Sequence, residues 1–98
     1  MTARHAIVWK GEHFTHRDAC RVYEAAVRAA APTVIVDLSA ARDATTSAFA
    51  KLVLLRRRLL RCGRDLRIQG LSDRAAKLYE VSRLGEVLPF NRAPVHLG

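Results

Sequence analysis

The stretch 34–52 (VIVDLSAARDATTSAFAKL) constrains the fold more than any other part of the chain. It opens with a β-branched run that ends at Asp37, which is typical of a strand buried on both faces of an α/β sheet. Apolar residues at helical spacing follow from position 48 onward. Between them lie Thr45, Thr46 and Ser47, whose hydroxyls suit the free N–H groups at a helix start. We therefore place any binding chemistry at this strand-to-helix junction.

The rest of the chain continues the alternation of strand and helix. Thr15 and Asp18 resemble a capping box before the first helix, and Pro32 ends that helix. Gly63 suits a left-handed cap after the second helix, and Gly85 marks the end of the third. The pattern predicts strands over 6–9, 34–37 and 66–69, and helices over 17–30, from 46 or 47 to 62, and from 72 to 85. The polar segment 12–17 is predicted to be a loop.

Chain length and apolar content predict one α/β domain over residues 1–98. Ninety-eight residues, half of them apolar, supply one core, which we place at about 5–89 with a loose C-terminal tail at 90–98. No stretch approaches the roughly 20 apolar residues of a membrane span, and the first residues lack the layout of a signal peptide. We expect a cytoplasmic protein with no membrane span.

The second predicted helix has two different faces. Its core stripe consists of Ala48, Leu52, Leu55, Leu59 and Cys62, flanked by Phe49 and Leu60. The opposite side mixes apolar and basic residues, namely Val53, Leu54, Arg57, Arg58 and Arg61. This second side either contacts a partner or is a solvated face on which arginine stems cover leucine.

Positive charge is concentrated near this helix. The chain carries a formal charge of +8, and residues 51–67 supply +6 of it through seven basic residues against Asp65 alone. Such a footprint raises nucleic acid as a partner, but no base-reading motif accompanies it and the aromatic residues are scattered. No glycine-rich phosphate loop points to a nucleotide. We therefore rank nucleic-acid or nucleotide binding below protein binding.

Catalytic and metal chemistry have little support in the sequence. His13, His16 and Cys20 are the only cluster of potential ligands, and zinc requires three or four in tetrahedral array. We interpret the histidines as loop residues. Asp37 is expected to orient the turn after its strand by accepting backbone N–H bonds. No catalytic residue, metal or cofactor is predicted.

Three segments together resemble the STAS domains, the sulfate-transporter and anti-sigma-factor-antagonist modules. They are VIVDLS (34–39), DATTSAFAKLVLLRRRLLRCG (43–63) and RDLRIQGLSDRAAKLYEVSRLGEVLP (64–89). The resemblance implies a small mixed β-sheet covered by helices in a non-catalytic regulatory module. It also implies a protein partner, an anti-sigma factor of the serine/threonine kinase type, that docks on the start of the second helix.

In anti-sigma-factor antagonists the partner kinase phosphorylates a serine at this helix start, and that position matches Thr46 here, with Ser47 beside it. Thr45 stands in place of the usual acidic residue and Ala48 in place of the usual glycine. The alternative is that one of the three hydroxyl residues is simply the helix N-cap. We predict a partner surface at the start of the second helix that extends along the helix's mixed apolar and basic side, and it comprises Asp43, Thr45, Thr46, Ser47, Phe49, Ala50, Val53, Leu54 and Arg57.

The final third of the chain is also similar to the STAS subunit of phospholipid-trafficking ABC transporters. The shared features are a strand ending in Gln69 and Gly70, a short capped helix, and the residues VLP at 87–89. That subunit has a threonine at the position matching Thr46 and docks on the transporter's ATPase. Under this alternative Thr46 is a contact residue and no kinase is involved.

Overall fold

Residues 4–91 form five strands and three helices, with one or two strands before each helix. The computed structural model describes residues 4–91. In chain order the elements are β1 (Arg4–Val8), β2 (His13–Phe14), α1 (His16–Arg28), β3 (Thr33–Asp37), β4 (Asp43–Ala44), α2 (Thr46–Arg61), β5 (Asp65–Gln69) and α3 (Asp73–Val81). The predicted small α/β domain is confirmed, and β2 and β4 are two short strands that the sequence analysis did not anticipate.

The main sheet has the order β1-β3-β5 with β3 in the centre. Ile35 is paired with Ala6 on one side and with Arg67 on the other. Every pairing within residues 4–91 is parallel, whereas the resemblance to STAS domains implied a mixed sheet. The physical reason is that α1 and α2 each return the chain to the same end of the sheet before the next strand begins.

The core lies between this sheet and the pair of helices α1 and α2. The two crossovers run in the same direction across the sheet, and α1 and α2 pack against each other. This is the arrangement expected when both parallel crossovers have the usual right hand, since both helices then lie on one face of the sheet. The central run Val34 to Val36 is fully buried, as predicted for a strand covered on both faces. Arg4, by contrast, is exposed on the edge strand β1. The sheet therefore protects its central strand most strongly, and the chain runs from that strand through a turn and β4 into α2.

The predicted core stripe of α2 is confirmed except at its C-terminal end. Its buried members are Ala48, Phe49, Leu52, Leu55 and Leu59. Leu60 is 46% exposed and Cys62 is also exposed. Phe49 is covered by the ring of Tyr79, whose centroid lies 6.2 Å away, whereas Leu60 lies about three turns further along the same side of α2. Helical spacing gives the direction of a side chain but not what covers it.

The start of α1 and the end of α2 follow the sequence signals, whereas α1 ends at Arg28, two residues before the predicted end, and α3 also ends early. The Thr15 N–H donates to Asp18 Oδ2 at 2.9 Å, and Gly63 has the left-handed φ of 72° that its position required. The third helix ends at Val81, four residues before Gly85. Arg83 adopts a φ of 52°, a left-handed conformation that cannot continue a right-handed helix. The prediction that α3 reaches Gly85 is therefore wrong.

The segment after α3 returns to the sheet beside β5. The Ile68 N–H donates to Pro89 O at 3.1 Å, and the Asn91 N–H donates to Ile68 O at 2.8 Å. Phe90 thus forms a parallel bridge with Ile68, although the sequence analysis placed it in the loose tail. Residues 92–98 of that predicted tail lie outside the described residues. Among residues 4–91, no helix has the length and apolar character needed to cross a bilayer.

Candidate functional site

The short strands β2 and β4 bring the starts of α1 and α2 together. His13 pairs with Asp43, and Phe14 pairs with Ala44. The Thr45 N–H then donates to Phe14 O at 3.1 Å. A shallow depression of about 140 Å³ lies between the two helix starts and is lined by His13, Phe14, Thr15, Asp43, Ala44 and Thr45. The contribution of segment 12–15 was not predicted from the sequence. The one signal there was Phe14, an aromatic residue within a polar run, and the structure buries it fully.

Thr45 is the N-cap of α2, which identifies the one of the three hydroxyl residues that caps the helix. Its Oγ1 accepts a hydrogen bond from the Ala48 N–H at 3.1 Å. Thr46 is the first residue of the helix, and both Thr46 and Ser47 are exposed. Ser47 Oγ lies 3.2 Å from Thr45 Oγ1, whereas the Thr46 hydroxyl has no hydrogen-bond partner among residues 4–91. The capping role therefore belongs to Thr45 and leaves Thr46 accessible.

Asp37 holds the turn that leads toward this helix start. Its Oδ1 accepts from the Ser39 N–H at 2.9 Å and from the Ser39 hydroxyl, and its Oδ2 accepts from Gln69 Nε2 at 3.0 Å. Burial alone would raise the pKa of Asp37, but these hydrogen bonds to its charged form outweigh burial and hold the pKa below the usual value. The expected orienting role of Asp37 is present in the structure.

In β5 the apolar Leu66 and Ile68 alternate with polar residues, and this alternation predicts that Gln69 lies on the exposed side of the strand. That prediction is wrong. The residue is only 8% exposed, and its side-chain N–H donates to Asp37 across the sheet. Alternation along one strand cannot indicate that a neighbouring strand supplies a buried polar partner. Gln69 therefore belongs to the support of the site.

The loop between β3 and α2 is held by two other segments of the chain. The Arg42 and Asp43 N–H groups donate to Glu12 O, and the Ala75 N–H of α3 donates to Arg42 O. Arg42 Nε also lies 2.6 Å from Asp73 Oδ2 at the start of α3. Since segments before α1 and within α3 both hold this loop, the start of α2 has a defined position instead of lying at the end of a free loop.

Several residues of the predicted partner surface share one exposed stripe of α2. Thr46, Ser47, Ala50, Leu54 and Arg57 are exposed and span about 100° of the helix circumference. We call these five residues the docking stripe. The half-buried Asp43 lies just before it, where its Oδ1 accepts from the Ala44 N–H.

Two other members of the predicted surface face inward. Phe49 is only 2% exposed and belongs to the core, so a partner would not reach its side chain. Val53 is half-buried and packs against the core. Both residues support the docking stripe from beneath.

The structure divides the basic residues of segment 51–67 into two groups. Arg56 and Arg67 pair with Asp65, and Arg64 donates to backbone carbonyl oxygens at the end of α1. These three guanidinium groups stabilise the packing of α1, α2 and β5. The remaining four, Lys51, Arg57, Arg58 and Arg61, line one cleft on the outer side of α2. The positive charge of segment 51–67 that is not engaged in this packing is therefore concentrated in this one cleft.

His16 and Cys20 lie on the same side of α1, as their spacing predicts. His16 Nε2 lies 3.5 Å from Cys20 Sγ. His16 is the first residue of a helix and not a loop residue, because the helix begins one residue earlier than predicted. No group of three or more potential metal ligands occurs within the part of the chain that the structure describes.

The chain was also compared with known proteins. No family model matches its sequence, and no curated protein matches it. A function for this domain is therefore inferred from the residues and geometry of this site.

Proposed function

We propose that this domain is a regulatory protein-binding module of the STAS type, and that its partner docks on the docking stripe at the start of α2. The proposed partner is an anti-sigma factor with serine/threonine kinase activity. Phosphorylation of Thr46, or of Ser47 beside it, is proposed to release the partner.

The observation that carries this proposal is that one of the three hydroxyl residues caps the helix while the next one is exposed. Thr45 caps the helix, so substitution or modification of Thr46 does not remove the cap. Thr46 is exposed at the first position of a 16-residue helix, where a kinase would have access to its hydroxyl. The buried network around Asp37 holds the preceding turn in place. A fixed backbone with an accessible hydroxyl suits a switch that changes the surface without unfolding it.

A phosphate at this position has a clear physical effect. It adds about −1.5 to −2 charges, which the free N–H groups and dipole of a helix start favour within the domain itself. The first turn of α2 contains no acidic residue to repel it. A partner surface matched to a neutral hydroxyl would meet charge and bulk, and a loss of about 3 kcal/mol weakens binding roughly a hundredfold.

Thr46 and Ser47 differ in what surrounds them on the helix. Lys51 follows Ser47 at the i+4 position, so a phosphate on Ser47 would attract the lysine. Ala50 occupies the corresponding position for Thr46 and cannot neutralise a phosphate there. We therefore assign the stronger switching effect to Thr46.

The test is affinity capture from a lysate of the native host, with the wild-type domain, Thr46→Ala and Thr46→Asp as baits. Ser82→Asp is the matched control, because Ser82 is exposed at the end of α3, and its hydroxyl is replaced by the same charge outside the docking stripe and outside the paired helix starts. Mass spectrometry would identify the captured proteins and the sites of phosphorylation on the bait. Wild type, Thr46→Ala and Ser82→Asp are expected to retain a kinase-type partner that Thr46→Asp loses.

The outcomes separate the proposal from its alternative. Phosphate on Thr46 or Ser47 of the wild-type bait, together with a serine/threonine kinase, supports partner switching. Recovery of an ABC transporter ATPase by an unmodified bait would instead make Thr46 a docking contact. Equal capture of one partner by Thr46→Ala and Thr46→Asp would remove Thr46 from the mechanism.

A further inference from the structure

A basic cleft lies on the outer side of α2 where that helix packs against α1. Its volume is about 500 Å³, and its lining consists of Tyr23, Lys51, Leu54, Arg57, Arg58 and Arg61. Four of the six lining residues are cationic and none is acidic. Because the other basic residues of segment 51–67 are engaged in packing, this cleft concentrates the positive charge of the region.

Tyr23 of α1 fixes the positions of two of these cations. Lys51 Nζ lies 4.5 Å from the centre of the tyrosine ring, and Arg58 Cζ lies 5.6 Å from it. Arg58 Nη1 also donates to the Tyr23 hydroxyl at 3.2 Å. The two cations are held before any ligand arrives, which lowers the entropic cost of binding an anion. Their position over the ring also occupies a face on which a nucleic-acid base would stack.

Leu54 makes the cleft more than a patch of charge. Its side chain is 52% exposed, and it is the only large apolar aliphatic residue of the lining. A phosphate backbone offers nothing that packs on leucine, whereas a peptide can place one apolar side chain there. A lipid surface would require several such residues, and Leu60, the other exposed leucine of α2, lies about 120° around the helix. A second copy of this chain would bring its own formal charge of +8.

We propose that the basic cleft binds an acidic peptide segment of the partner, in which glutamate or aspartate residues flank one apolar side chain that packs on Leu54. This inference rests on the proposed function, because Leu54 and Arg57 belong both to the cleft and to the docking stripe. The partner that contacts Thr46 therefore continues along α2 and places its acidic segment over Arg58 and Arg61. The basic cleft would make the domain selective for a partner with an acidic segment, while Thr46 at the helix start would control whether that partner stays bound.

The experiment measures fluorescence anisotropy of a short labelled peptide that has one central leucine between two pairs of glutamates. The variant Arg58→Gln/Arg61→Gln removes two charges from the cleft and none from the docking stripe. Arg21→Gln/Lys77→Gln removes two equally exposed charges elsewhere and is the matched control. The cleft variant is expected to bind about tenfold more weakly than wild type, and the control within about twofold.

A second pair of changes tests the apolar contact. Replacing the peptide leucine with alanine is expected to weaken binding to wild type several-fold but to have little further effect on Leu54→Ala, since the two changes remove the same contact. Additive effects would overturn the assignment of Leu54. Thermal unfolding of each variant would show that the surface changes leave the fold intact.

Three results would overturn the proposal as a whole. One is absence of measurable peptide binding at low salt, and another is equal affinity of the cleft and control variants for the peptide. The third is that a polythymidine oligonucleotide with the same charge as the peptide, or anionic phospholipid vesicles, bind the domain more tightly than the peptide does and require Arg58 and Arg61. It would assign the cleft to nucleic acid or to a membrane.

The same variants distinguish this inference from the proposed function. If the captured partner is lost by Thr46→Asp but retained by Arg58→Gln/Arg61→Gln as well as by the control, the switch stands and the cleft proposal fails. If the acidic peptide binds the control variant but not the cleft variant, while Thr46→Ala and Thr46→Asp capture the partner equally, the cleft proposal is supported and the switch proposal fails.

Discussion

Replacing Gly70 with alanine is expected to destabilise the domain at the turn that supports the candidate site. Gly70 follows β5 with a φ of 70°, and an added Cβ would lie 2.1 Å from Ser39 Oγ and 2.9 Å from Ser39 Cα. Ser39 cannot move away freely, because its N–H and hydroxyl both donate to the buried Asp37. The alanine would therefore press on the connection between β3 and the start of α2.

Gly63 provides a matched control for this substitution. It has a nearly identical φ of 72°, but an added Cβ there would meet nothing within 4 Å. At both positions an alanine would have to adopt the left-handed conformation, in which its Cβ lies too close to the backbone carbonyl oxygen. This strain costs about 1 kcal/mol. Overpacking adds about 1–3 kcal/mol at Gly70 alone. The expected losses in the free energy of unfolding are therefore about 1 kcal/mol for Gly63→Ala and about 2–4 kcal/mol for Gly70→Ala.

Urea denaturation followed by circular dichroism would measure both losses. Adding Ser39→Gly to Gly70→Ala removes the Ser39 Oγ and Cβ that the alanine would meet, so the pair should lose less than the sum of the single changes. Equal losses for Gly63→Ala and Gly70→Ala would refute the reasoning, since the contact with Ser39 would then contribute nothing.

Two further predictions concern the support of the site. Thr45→Ala is expected to lower the free energy of unfolding by about 1 kcal/mol because it removes the cap on the Ala48 N–H, and Thr45→Asn, which retains an acceptor, should lose less. Equal losses for both, measured by denaturation, would contradict the capping role. The second concerns Asp37, whose lowered pKa means that its stabilising contribution is complete above the ordinary value of 3.8 and disappears as the pH falls through the lower folded-state pKa. Asp37→Asn should therefore show a smaller acid-induced loss of stability than wild type, and identical acid profiles would contradict this.

Much of the fold followed from patterns within single segments. The β-branched run at 34–36, the capping pair Thr15 and Asp18, and the left-handed Gly63 each depend on physics that acts over a few residues. Segment patterns were less informative where the outcome depended on a neighbour. The early end of α3 depended on the backbone conformation of Arg83, and the pairing of Phe90 depended on the open edge of β5.

The candidate site was located by sequence but assembled by contacts between distant segments. The hydroxyl residues at 45–47 indicated a helix start, but their spacing did not say which one would cap it. Phe49 has the spacing of a residue near the docking stripe, yet Tyr79 covers it. Gln69 is hydrophilic by type and buried by position, because Asp37 on the adjacent strand accepts its hydrogen bond.

The sequence by itself determined the alternation of strands and helices, the position of the buried central strand, and the concentration of charge near α2. These features follow from side-chain periodicity and local backbone preference, which act along the chain. The tertiary structure alone decided which basic residues stabilise packing and which line the cleft, and it placed segment 12–15 beside the start of α2. Those outcomes depend on residues that are 30 or so positions apart in the chain, because hydrogen bonds and burial act between segments that only folding brings together.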